Sequence, residues 1–170
     1  MSNANVKPAV LIVDDEEMVV TSVRALLSLE TDYEVHGFTD PEEAATFLES
    51  HPVDVAVADY VMPKLNGIQF LAKSKQLQPE ATRVLLTGYA DKQSAIQAIN
   101  ELSLFQYLEK PWDNAALLLV IQNAIERAHL IRQLRDKIAE LDAAHSDLKG
   151  VQTRLLRAFS PLALPMSARA

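Results

Sequence analysis

A chain of 170 residues with 49% hydrophobic content can bury one core with length to spare, which excludes two full-sized domains. A net charge of -7 excludes a chain-wide cationic surface for nucleic acid or anionic membrane, and the absence of cysteine excludes disulfides and thiolate metal sites. No segment reaches the ~20 apolar residues of a membrane span, and the apolar run after Pro8 is too brief for the core of a signal peptide, so a soluble cytoplasmic protein is expected.

Along the chain, short runs rich in β-branched residues alternate with longer amphipathic stretches, the pattern of parallel strands joined by crossover helices. Ala9–Val13 is continuously apolar, which predicts a central strand covered on both faces. Glu16–Leu29 then places Val19, Val20, Val23, Leu26 and Leu27 at helical spacing. Tyr33–Phe38 predicts a second, weaker strand. After it, Asp40-Pro41-Glu42-Glu43 supplies an N-cap, a first-turn proline and early acids for a helix running to Ser50. Val53–Ala58 is the third strand, and its loop, Asp59 to Gly67, leads into a helix over Ile68–Leu77. Thr82–Thr87 forms the fourth strand, a helix follows over Asp91–Asn100, and Leu104–Leu108 forms the fifth strand. From Asp113 to Phe159 there is no proline and a single glycine, Gly150, which predicts one long helix. The tail from Ser160, with Pro161 and Pro165, cannot continue it and is expected to be flexible over residues 160–170.

In an open parallel sheet, ligands bind beyond the carboxyl ends of the strands. Strand one ends in Asp14-Asp15, strand three in Asp59, strand four in Thr87-Gly88 and strand five in Lys110-Pro111. Converging carboxylates with no cysteine or histidine beside them form a hard oxygen site, suited to Mg²⁺ or Mn²⁺ rather than zinc. A hydroxyl and an ammonium opposite such a cation would neutralise the oxygens of a phosphoryl group, so the set has the parts of a phosphoryl-transfer site with a carboxylate nucleophile. Taken singly, each member has a structural reading. The acidic pair would cap a helix, Asp59 would form a turn, Thr87 would belong to a Thr-Gly turn and Lys110 would be a solvated lysine. Their coincidence at successive strand ends carries the functional reading.

Four stretches extend that set: Val10-Leu-Ile-Val-Asp-Asp15, Val57-Ala-Asp-Tyr-Val-Met-Pro63 with Gly67, Leu85-Leu-Thr-Gly-Tyr-Ala90, and Phe105-Gln-Tyr-Leu-Glu-Lys-Pro111. Through them residues 8 to 125 resemble the receiver domains of bacterial response regulators of two-component systems. The resemblance implies an α/β, flavodoxin-like, doubly wound five-stranded parallel sheet of order 2-1-3-4-5 with an extended C-terminal helix. It implies that Asp15 and Asp59 ligate Mg²⁺ directly, that Asp14 holds the ion through water, and that the Val61 carbonyl completes the protein's share. Asp59 would take a phosphoryl group from a sensor histidine kinase or phosphotransfer protein, while Lys110 pairs with a phosphoryl oxygen. Thr87 would swing in to bond another, and Tyr107 would follow it from an outward to an inward rotamer. Gly88 is small enough for phosphodonor access, whereas Tyr60 and Tyr89 flank the site.

A receiver alone would end near Ala128, which leaves the rest of the long helix to be explained. Ile131, Ile138, His145, Gln152 and Phe159 share one heptad position, and Leu134, Leu141, Leu148 and Leu155 share the other apolar one. Isoleucine at a with leucine at d favours a parallel two-stranded coil. The expected organisation is therefore a receiver over 8–128, a helical coiled-coil extension over 129–159 that makes a homodimer, and a tail over 160–170. The alternative for the extension is an amphipathic helix folded back on its own receiver. No helix-turn-helix, glycine-rich nucleotide loop or catalytic signature follows residue 128, so an enzyme is not expected. A phosphatase is disfavoured because Tyr60-Val61 offers no second acid beside the nucleophile. Two alternatives stay open: a dimerisation adaptor that is not phosphorylated, and the N-terminal regulatory part of a larger effector, such as a cyclic-dinucleotide enzyme or transcription regulator.

Overall fold

The structure, a computed structural model, describes residues 6–160. Strands and helices alternate as the periodicity requires: β1 (Ala9–Val13), α1 (Glu17–Glu30), β2 (Glu34–Phe38), α2 (Pro41–Ser50), β3 (Val55–Asp59), α3 (Gly67–Leu77), β4 (Thr82–Thr87), a 3-10 turn (Tyr89–Asp91), α4 (Lys92–Leu102), β5 (Gln106–Glu109) and α5 (Asn114–Phe159). The strands form a single parallel sheet in the order β2-β1-β3-β4-β5, the topology expected. Most of the flexible tail expected over 160–170 lies outside the described residues.

Successive strand residues point to opposite faces, so a strand covered on both sides must be apolar throughout. Leu11, Val13, Ala56, Ala58 and Leu85 face a core completed by Ala44 and Leu48 of α2, Phe70 and Leu71 of α3, and Ala95 of α4. Val10, Ile12, Val55, Val57, Val84 and Leu86 face the other, completed by Val20, Val23 and Leu27 of α1 and by Leu117, Ile121 and Ala124 of α5. Edge strands β2 and β5 are only partly buried, which matches their weaker sequence signal.

Element limits differ from the expected ones where pairing, and not hydrophobicity, sets them. β3 begins at Val55, and Asp54 just ahead of it caps the foot of the sheet, its Oδ2 accepting from the Ala9 N–H at 2.7 Å. β3 also runs one residue further, since Asp59 stays in register with Leu86. β5 starts at Gln106, after the Phe105 N–H has bonded the Arg83 carbonyl at 3.0 Å. Helix starts follow their caps. Asp40 accepts from the Glu42 N–H at 2.9 Å ahead of α2. Asn66 and Gln69 form a reciprocal capping box that starts α3 at Gly67 and not at Ile68.

The chain divides into a compact unit reaching Ile131 and a second unit from Arg132. In the first, α5 buries Leu117, Val120, Ile121, Ala124, Ile125 and Ala128. In the second, the helix to Phe159 exposes Leu134, Ile138, Leu141, Leu148, Leu155 and Phe159.

Candidate functional site

Parallel register brings the ends of β1, β3, β4 and β5 to one edge of the sheet: Val13 lies beside Ala58, Asp59 beside Leu86, and Thr87 beside Glu109. Asp14, the first residue past β1, is fully buried. Its N–H donates to the Phe38 carbonyl at 3.1 Å, and its Oδ1 accepts from the Glu16 N–H at 2.9 Å. That bond forms a turn ahead of α1 and does not cap it, since the N-cap residue is Glu16 and carries no side-chain cap bond, and it occupies one oxygen only. Asp14 Oδ2 accepts from Lys110 Nζ at 2.8 Å, and the same ammonium lies 3.2 Å from Asp59 Oδ1 and 3.8 Å from Glu16 Oε1. Lys110 is far from a solvated lysine. Its side chain is 21% accessible, and its own N–H is held by the Thr87 carbonyl at 2.8 Å, just before the cis Lys110–Pro111 peptide.

Asp15, by contrast, is exposed. One carboxylate oxygen from each of Asp14, Asp15 and Asp59 falls within 4.8 Å of the others. Carboxylate oxygens gathered this closely, with no nitrogen or sulfur donor in the cluster, suit a hard divalent cation such as Mg²⁺. The donor chemistry fits as well, because three carboxylates crowd a single ammonium. Burial, and then the charge of Asp14, pushes the Asp59 carboxyl up to about 6. Burial also raises Asp14, against the hydrogen bond from Lys110. Burial by itself would lower Lys110, but the hydrogen bond and charge of Asp14, with the charge of Asp59, lift it above the ordinary lysine value.

These shifts set a pH dependence. The folded Asp59 holds its proton to about 6 whereas the unfolded one releases it at 3.8, so its contribution to stability is present below 3.8 and is lost as pH rises through about 6. Without divalent cation, the melting midpoint is expected to fall across that window by the equivalent of roughly 2 kcal/mol. Saturating Mg²⁺, which takes only the ionised carboxylates, should cancel the fall. Thermal melts across the window with and without Mg²⁺ check this; identical curves would remove the cation from the site.

The other expected residues are placed less completely. Thr87 is buried, and its Oγ1 donates to the Gly88 carbonyl at 3.0 Å, the turn role that a Thr-Gly pair supplies. Tyr107 is half-buried on β5 and packs against the core beneath α2, α3 and α4. Val61 lies in the β3–α3 loop with its side chain exposed. Tyr60 packs partly into the core, while the Tyr89 side chain lies outside the described residues. Sequence reasoning missed Glu16, which follows the acidic pair directly, and Lys64, which no local pattern marks.

A family model for the response regulator receiver domain matches residues 10–122. The chain belongs to the response regulator receiver family. Among curated relatives, the receiver is 33% identical over 117 residues to the hydrogenase transcriptional regulatory protein HoxA of Cupriavidus necator, covering 69% of this chain and 24% of HoxA. It is 30% identical over 125 residues to the transcriptional regulatory protein FixJ of Bradyrhizobium diazoefficiens, covering 72% of this chain and 58% of FixJ. Among solved structures, the signal receiver domain of an HD domain-containing protein from Pseudomonas fluorescens Pf-5 is 36% identical with a TM-score of 0.68, over 73% of this chain and 98% of that one. A structure described as adenylate cyclase from Rhodopirellula baltica is 26% identical with a TM-score of 0.75, over 79% and 98%. The receiver spans a quarter to a third of the length of HoxA, AtoC and DctD, which are regulators longer than this match.

Proposed function

We propose that Asp59 is the phosphoacceptor of this receiver and that it takes its phosphoryl group from a histidine kinase or phosphotransfer protein in the cytoplasm. The observation that carries this reading is Lys110 Nζ lodged between Asp14 and Asp59, at 2.8 and 3.2 Å, beside a third carboxylate. An Asp59 oxygen attacks the phosphorus of a phosphoimidazole, an O–P bond forms, and the N–P bond breaks with its electron pair going to the imidazole. Asp15 and Asp59 would hold the cation directly, Asp14 would hold it through water, and the Val61 carbonyl would add a ligand. Mg²⁺, or Mn²⁺, supplies positive charge against the phosphoryl oxygens there. Lys110 exchanges its contact with Asp59 for one with a phosphoryl oxygen. Thr87 has to give up the Gly88 carbonyl to reach another oxygen, and that exchange, followed by Tyr107, is the switch, since only contacts that differ between states can drive one. Incubation with Mg²⁺ and acetyl phosphate, read by intact mass, tests the proposal. One phosphate per chain is expected; none would favour an adaptor, and rapid multiple turnover a phosphatase.

The output is proposed to be a homodimer through residues 129–159. Among the described residues no helix is long and apolar enough to cross a membrane, and the apolar a and d positions beyond Ile131 are exposed. Contiguous exposed apolar side chains of that extent favour a partner. In a parallel pair Lys137, at g, faces Asp142 of the second copy, at e, which favours the in-register alignment. Each seam leucine or isoleucine contributes roughly 1.5–3 kcal/mol on full burial, set against association entropy and the polar His145 and Gln152. Sedimentation of the full chain is expected to give a dimer at micromolar concentration, and of a chain ending at Arg127 a monomer. Two monomers would remove the coil. The lengths of the relatives favour one further reading, in which this module regulates a larger effector.

A further inference from the structure

Lys64 is a residue of the β3–α3 loop to which the proposed phosphoryl chemistry gives no task. Its backbone is left-handed, with φ at 68°, a conformation that residues with a Cβ seldom adopt. Its side chain leaves the loop and reaches two acids of another element. Nζ donates to Asp40 Oδ2 at 2.7 Å and to Glu42 Oε2 at 3.2 Å. Asp40 is itself fixed as the N-cap of α2, and the hydrogen bond from Lys64, ahead of that from the Glu42 N–H, holds its carboxyl below the usual range. The loop is closed at its base, where the Gly67 N–H meets the Tyr60 carbonyl at 2.9 Å, and Met62 is buried in the core. The contact of Lys64 with α2 adds a further anchor, directly after the Tyr60–Pro63 segment.

An exposed ion pair adds little to global stability, and glycine would meet the same backbone geometry more easily. A lysine held in this conformation by two acids points to a local task. We propose that Lys64 is a positioning residue: with Asp40 and Glu42 it latches the β3–α3 loop to the start of α2, and so holds the Tyr60–Pro63 segment, with its Val61 carbonyl, where a divalent cation beside Asp59 can use it. The latch rests on the reading of Asp59 and Val61 as cation ligands and adds a residue that acts on them through the loop.

The test compares Lys64→Met, Lys64→Gly and Lys64→Arg with wild type in the full chain. It reads Mg²⁺ affinity by Trp112 fluorescence and the rate of labelling by acetyl phosphate. The Met and Gly variants are expected to bind Mg²⁺ about three- to tenfold more weakly, within the range over which residues remote from a site modulate it. Their cation-free melting midpoints should stay with wild type, Arg should restore affinity, and saturating Mg²⁺ should restore the labelling rate. Asp40→Asn with Glu42→Gln keeps an N-cap side chain and removes the acids; it should produce the same loss, with no further loss when combined with Lys64→Met. Wild-type binding together with unchanged affinity in the Met and Gly variants overturns the latch, as do losses that add across the pair. A wild-type chain that takes up no Mg²⁺ removes the cation reading itself, and the latch with it.

Discussion

Replacing Asp59 with Asn is expected to take phosphate incorporation from the proposed one per chain to none while the chain stays folded. The amide keeps the shape of the carboxyl, so the place of Asp59 at the end of β3, paired with Leu86, is undisturbed. An amide oxygen is a poor nucleophile toward phosphorus, and a neutral side chain no longer helps hold a hard cation. Stability should move the other way. The wild-type carboxyl is pushed up to about 6 by burial and by Asp14, so at neutral pH the fold carries an anion that its surroundings disfavour. Removing that charge leaves Lys110 to Asp14, at 2.8 Å, and the variant without Mg²⁺ should melt at or above wild type. Its midpoint should also lose most of its response to Mg²⁺. Intact mass and parallel melts check both halves, and stoichiometric labelling of the Asn variant would remove Asp59 from the role.

Why positions 14, 59, 87 and 110 could be grouped without coordinates is a matter of topology. A parallel sheet delivers all its carboxyl ends to one edge, so residues at positions 14, 59, 87 and 110 become neighbours once the alternation of strands and helices is known. β1 was equally legible, because cover on both faces demands an unbroken apolar run such as Ala9–Val13. The limits of β5 were not. On an edge strand the ladder with β4 decides where the strand begins: the register opens with Gln106 against Val84, while Leu104 and Phe105 pack into the core ahead of it. The start of α3 was written in Asn66 and Gln69, but a helix looked for by its apolar face begins at Ile68. Lys64 was illegible for a stronger reason. Its partner Asp40 lies 24 residues away, and neither the left-handed backbone nor the reach across the loop leaves a local pattern.

The motif glycine after Asp59 was visible from sequence; the force that requires it was not. Gly67 does not have a positive φ, so conformational freedom is not the reason. A Cβ on Gly67 would overlap the carbonyl oxygen of Asp59, and would stand 2.8 Å from its carbonyl carbon and 2.9 Å from Leu85 Cδ1. The obstacle is the backbone of Asp59 itself, in a strand buried on both faces and paired on both sides, so β3 cannot yield. The start of α3 must move instead, straining the Gly67 N–H bond to the Tyr60 carbonyl and the capping box at Asn66. Gly67→Ala is therefore expected to destabilise the receiver by about 3 kcal/mol, at the upper end of overpacking costs. The melting midpoint should drop by on the order of 10 °C. Phosphate incorporation should slow as the β3–α3 loop shifts. Gly150 provides the contrast, because nothing lies within 4 Å of a Cβ built there, in the interior of α5. Gly150→Ala should stabilise the helix by about 1 kcal/mol through propensity alone, seen as increased helicity by circular dichroism. The same substitution is thus expected to carry opposite signs at the two sites. If Gly67→Ala were as harmless as Gly150→Ala, the tight approach of α3 to Asp59 could not be what holds the β3–α3 loop in place.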